Sequence, residues 1–117
     1  MLLELIETAR FIVDTIANKL GADIVLLDLS GITLIADYFV IATGDSDRQL
    51  DAIAREVHER LEVDHRIVPL AIEGTGQSGW ILMDYGSIVV HLFSPAQRNR
   101  YQLESFWNKA RVIVRMA

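Results

Sequence analysis

Hydrophobic positions along this chain switch between two periods. From Leu2 through Leu5, Ile6, Ala9, Ile12, Val13, Ile16, Ala17 and Leu20 they recur at helical spacing, and Gly21 stands where such a helix would stop. Residues 23–29 are short, apolar and rich in β-formers, the pattern of a central strand, and residues 37–43 repeat it. The connection between them, residues 30–35, carries Gly31 and has room for one helical turn. Ser46 and Gln49 have the form of a capping box. The Ser46 hydroxyl accepts from the N–H of Gln49, whose side chain reaches back to the cap. Behind the box, Leu50, Ile53, Ala54, Val57 and Leu61 make an amphipathic stripe. Residues 66–72 predict a third strand, an edge strand because Pro69 has no N–H to give a ladder.

The glycine-rich stretch 73–79 predicts a flexible loop. Residues 80–84 and 88–93 then predict a hairpin about Tyr85, Gly86 and Ser87. After Pro95 the chain turns helical through Tyr101, Leu103, Phe106 and Trp107, while the last ten residues fit either a continued helix or a strand. The order α-β-β-α-β-β-β-α predicts a single α/β domain, a mixed β-sheet of about five strands with helices packed on it. Neither an internal repeat nor a domain boundary interrupts it.

Composition fits that reading. A chain of 117 residues with 51% hydrophobic and 23% charged positions can bury one core. The absence of cysteine removes disulfides, thiolate metal sites and cysteine nucleophiles, and suits a reducing cytoplasm. The first residues show no basic leader, and no apolar run approaches the roughly 18 residues of a membrane span. Net charge is −5, unevenly spread: residues 1–97 carry six bases against fifteen acids, −9, and residues 98–117 five bases against one acid, +4. An acidic body repels nucleic-acid backbones and attracts basic partners, or simply keeps the protein in solution.

Catalytic constellations are sparse. His58, His65 and His91 have no metal-ligand spacing; the first two read as solvent-exposed spectators, the third as a structural histidine facing a partner group. Asp45 and Asp47 flank Ser46 at a helix start, where carboxylates complement the macrodipole without any metal. Asp23 and Asp28 lie an odd number of residues apart, on opposite faces of a regular strand. Serine elbows, Walker loops and dinucleotide fingerprints do not occur. The expectation is therefore no catalytic, cofactor or metal site, with a metal-dependent nucleotidyl-transfer enzyme using Asp45 and Asp47 as the alternative. For binding, Trp80 shares a strand face with Leu82 and Asp84, and Tyr85 follows at the turn. An aromatic anchor flanked by acids suits a basic protein partner. Periodicity equally allows Trp80 as half-buried core, since Ile81 and Met83 compete for the inward face.

Two long motifs resolve that choice. The run ADYFVIATGDSDRQ over residues 36–49, and GWILMDYGSIVVHLF over 79–93, together with residues 23–30, Glu73 and Gly74, and Arg98 through Glu104, resemble the ribosomal silencing factor, or Iojap-like, family across residues 5–107. The resemblance implies a nucleotidyltransferase-like fold and a non-enzymatic translational repressor. Such a factor binds the large ribosomal subunit through its fourteenth protein (universal numbering), blocks joining of the small subunit, and lowers translation under nutrient limitation. Trp80, Asp84 and Tyr85 match the motif at the expected contact. Asp37, Tyr38, Asp47, Arg48 and Glu73 match further family positions and join the candidate set, though Glu73 could instead pair with Arg48 or His91. The division that follows is a silencing-factor domain over residues 1–107 and a basic C-terminal tail over 108–117, which touches ribosomal RNA or only solubilises the end. A homodimer with the sheet face as its seam is a further state to expect.

Overall fold

The computed structural model describes residues 4–117. Helix α1 (Leu5–Asn18) buries Ala9, Ile12, Val13 and Ile16, the stripe that helical spacing marks. Leu2 of that stripe lies outside the described residues, and Leu20 is exposed. The chain leaves the helix at Lys19 and reverses at Leu20, whose φ of 63° is left-handed, so the turn falls one residue before Gly21. Strands β1 (Ala22–Asp28) and β2 (Tyr38–Thr43) follow, joined by turns without a helix. Helix α2 (Asp47–His65) starts on the Ser46 cap, with the Gln49 N–H donating to Ser46 Oγ at 3.0 Å. The Gln49 side chain accepts from the N–H of Asp45 at 2.6 Å and donates to the carbonyl of Leu20 at 3.0 Å, so one residue ties α2's start to α1's end.

The expected third strand is shorter and later. Arg66 caps α2 in the left-handed region, and only β3 (Ala71–Glu73) pairs, at the sheet edge; Pro69 lies before the strand and takes no part in its ladder. Strands β4 (Trp80–Asp84) and β5 (Ile88–Phe93) form the hairpin. Two short helices, α3 (Pro95–Tyr101) and α4 (Leu103–Phe106), break at Gln102, again left-handed. Residues Arg111–Met116 are not a loose tail. They form β6, a sixth strand antiparallel to β1.

The sheet runs β3-β4-β5-β2-β1-β6, parallel between β2 and β5 and antiparallel elsewhere. Its two faces are unequal. Helices α1 and α2 cover one, packing on Ile24, Leu26, Val40, Ala42, Ile81, Met83, Val90 and Leu92. The other face carries Val25, Leu27, Phe39, Ile41, Val89 and Phe93, roofed only in part by Leu103 and Trp107. Along β4 the alternation leaves Trp80, Leu82 and Asp84 half-buried on this thinly covered side. No helix among the described residues is long and apolar enough to cross a membrane.

Candidate partner-binding site

Trp80 opens β4, and the loop before it decides where the indole stands. That loop is anchored rather than flexible: the Gly76 N–H reaches Asp51 on α2, and Ser78 Oγ donates to the Trp80 carbonyl at 3.2 Å. Gly74 has φ 84°, and a Cβ there would lie 2.0 Å from that same carbonyl oxygen, so only glycine lets the loop cross β4 so closely.

The indole ring packs on Phe93 (centroids 4.9 Å apart) and under Tyr101 (4.6 Å). Its Nε1–H donates to His91 Nδ1 at 3.3 Å. His91 is 4% exposed, and burial pulls its pKa down from 6.5 to about 4, so the ring is neutral. Around these rings lies a groove of about 380 Å³ lined by Glu73, Gly74, Ser78, Trp80, Leu82, Gln97 and Tyr101. Glu73 stands opposite Leu82 across the β3–β4 ladder, placing its carboxylate on the same face. At the far end of β4, Asp84 Oδ1 accepts from the Gly86 N–H at 2.8 Å, fixing the turn. Arg98 holds the roof in place: its guanidinium meets the Glu104 carboxylate, and Nη1 donates to Thr43 Oγ1 at 2.8 Å.

Trp80, Asp84 and Glu73 therefore share one face. Tyr85 does not. It follows Asp84 by one residue and turns to the helix-covered side, where burial pushes its phenol up to about 12. Tyr38 packs on that side too. Asp37 sits at the edge of a cleft with Leu34, Ile35, Gly86 and Ser87. Asp47 and Arg48 are exposed on the first turn of α2, outside the groove. Among the described residues Glu73 forms no ion pair with Arg48, and the polar partner of His91 is Trp80. His65 is less exposed than its helix face suggests, since its ring packs edge-on against Phe11 at 4.5 Å; His58 likewise has a buried Nδ1. Asp45 and Asp47 are both exposed, and no three His, Asp or Glu side chains among the described residues gather closely enough to hold a metal ion.

Sequence reasoning did not assign Tyr101 and Gln97 to the site. Both arrive by the packing of α3 on β5, a contact no local pattern encodes. Leu34 and Ile35 are two strongly exposed apolar side chains in the β1–β2 connection, outside this groove.

The described face thus carries a shelf of packed rings with one carboxylate, Glu73, in its groove. The family described as ribosomal silencing factor during starvation matches residues 3–116. The chain belongs to that family, the ribosomal silencing (Iojap-like) factors. It is 42% identical over 93 residues to the ribosomal silencing factor RsfS of Bacillus subtilis, covering 80% of this chain and 78% of that one. It is 32% identical over 108 residues to a mouse protein named mitochondrial assembly of ribosomal large subunit protein 1, covering 85% of this chain and 46% of that one. A crystal structure of a Chromobacterium violaceum protein superposes with a TM-score of 0.85 at 32% identity, covering 98% of this chain and 97% of that one.

Proposed function

We propose that this protein binds the large ribosomal subunit in the cytoplasm, through the face that carries Trp80, and represses translation by occupying the surface the small subunit must join. The observation that carries the reading is the Trp80–Tyr101 shelf with Glu73 in its groove, and with Asp84 farther along the same strand face, on the thinly covered side of the sheet. Trp80 supplies apolar area, and the carboxylates meet basic side chains of the partner, which we take to be the fourteenth protein of the subunit. The mouse relative's name, with its large subunit, supports the choice of subunit. The mechanism is steric and needs no chemistry: one surface cannot hold this domain and the small subunit together. The acidic body adds long-range attraction toward a basic ribosomal protein and speeds encounter. Contact of residues 108–117 with ribosomal RNA falls to Lys109 and Arg115, because Arg111 already meets Asp28.

The test is to add purified protein to dissociated subunits and read intact ribosomes on a sucrose gradient. Reassociation falls as protein is added, and Trp80→Ala restores it while keeping its circular-dichroism spectrum. Unchanged reassociation at saturating protein overturns the proposal.

A further inference from the structure

Among the described residues His91 is the one ionisable residue that is fully buried, and it stands in the middle of β5 beneath the face that carries Trp80. A valine or leucine would fill that strand position without polar atoms to satisfy. The imidazole instead leaves Nε2 without a hydrogen-bond partner, a desolvation penalty the fold carries for some return. The return is visible at the other nitrogen. Nδ1 lies 3.3 Å from Trp80 Nε1, while the other rings against the indole, Phe93 and Tyr101, present their packed faces. Around His91 the remaining neighbours are rings as well: Phe39 edge-on at 4.6 Å and Phe93 stacked at 6.1 Å. Rings constrain the plane of an indole loosely. A hydrogen bond fixes which edge points inward.

We infer that His91 is a positioning residue for the contact surface: its Nδ1 acceptor turns the N–H edge of Trp80 inward, so that the apolar remainder of the indole is presented to the partner in one orientation. This rests on the reading that Trp80 meets the large subunit. It adds that a side chain with almost no exposed area sets the affinity of an exposed one. The bond requires the tautomer protonated at Nε2, with Nδ1 bare. Tyr101 packs on the indole from the roof and limits its other movements, so acceptor and roof together leave the ring one position.

Two readouts separate the hydrogen bond from packing and from partner binding. The first is the indole N–H resonance of Trp80 in the free protein, assigned with Trp107→Phe. In His91→Leu it moves upfield and exchanges faster with solvent, and in His91→Asn, which keeps an acceptor near the place of Nδ1, it returns toward the wild-type position. The second is binding to large subunits, read by co-sedimentation. His91→Leu binds roughly tenfold more weakly, the worth of one buried hydrogen bond, and His91→Asn recovers most of the loss. In a Trp80→Phe background, which has no donor, His91→Leu has no further effect. An indole resonance indifferent to His91→Leu overturns the inference, and so does an Asn variant as weak as the Leu variant, which would make the residue mere filling. Full binding by Trp80→Ala sinks the contact site instead, and the resonance still decides the hydrogen bond.

Discussion

The backbone N–H of Gly76 donates to Asp51 Oδ1 at 2.7 Å, joining the loop before β4 to the second turn of α2. The approach is close enough that a Cβ on Gly76 would lie 2.0 Å from the Asp47 carbonyl oxygen. Helix α2 thus sets the loop, the loop sets the start of β4, and Trp80 stands at that start. Gly76→Ala forces the two backbones apart and should destabilise the fold by about 2 kcal/mol, in the range of overpacked sites. Asp51→Ala removes a charge-assisted acceptor and should cost about 1–2 kcal/mol. Urea denaturation measures both. Limited proteolysis should cut within residues 74–79 in either variant before it cuts the wild type, and equal resistance would show that the clasp does not hold the loop.

Buried His91 gives stability a pH dependence of known sign. Its proton leaves at about 4 in the folded chain and near 6.5 in the unfolded one. Between those values the unfolded chain binds more protons, so stability is complete above pH 6.5 and falls as pH drops toward 4. The loss from this one group amounts to about 3 kcal/mol. Asp28 does not confuse the window. The Ser30 hydroxyl first, then the Ser30 N–H, lower its pKa, so its contribution is lost only below the ordinary carboxylate range. Between pH 7 and pH 4.5 wild type should therefore lose stability relative to His91→Leu, whose denaturation midpoint lacks this term. Parallel curves would mean that His91 is protonated without penalty.

What was legible in the sequence was local. The middle of the α1 stripe, the Ser46 cap and the 80–93 hairpin each depend on residues within a turn or two of one another and form as read, although Leu20 is exposed and the Gln49 side chain takes the N–H of Asp45 rather than that of Ser46. Strand β6 was not legible. Whether residues 111–116 are strand or helix is settled by pairing with β1, in which Leu26 meets Val114 and a bulge turns both Ile113 and Val114 toward the helices. Trp80's half-buried state is likewise a product of Tyr101, delivered by α3 from 21 residues away. Tyr85 stands apart from its motif neighbours for a different reason. Its motif neighbours Trp80 and Asp84 share a strand face, but the period of two sends the next residue across the sheet, and only a strict count through the end of β4 shows it.

Glu104 anchors the roof. Its carboxylate meets the Arg98 guanidinium, whose side chain is only 14% exposed and has Thr43 as its other partner. Glu104→Ala leaves that cation half-satisfied and frees α4 from α3. Both groups keep some solvent, so the expected loss is about 1–2 kcal/mol rather than that of a fully buried pair. Tyr101 should then leave Trp80, and emission from Trp80 in a Trp107→Phe background should shift to longer wavelength. A melting curve and emission maximum equal to wild type would show that the roof is held by Leu103 and Trp107 alone.

Asp84 separates charge from structure. One carboxylate oxygen holds the Gly86 N–H, a task an amide oxygen performs as well, while the negative charge stays on a half-buried rim position. Asp84→Asn should leave the denaturation midpoint within about 0.5 kcal/mol of wild type. Against the large subunit the effect differs. Removing a rim charge that faces a basic surface should weaken binding by about 0.5–1 kcal/mol, a few-fold in Kd, chiefly through slower association. Raised salt screens the same attraction, so wild-type affinity should fall with ionic strength and Asp84→Asn should fall less steeply. Asp84→Lys should bind more weakly still, with the shallowest salt dependence of the three. If all three proteins share one salt slope, the acidic rim has no part in recognising the ribosome, and the rings of Trp80 and Tyr101 carry the contact without it.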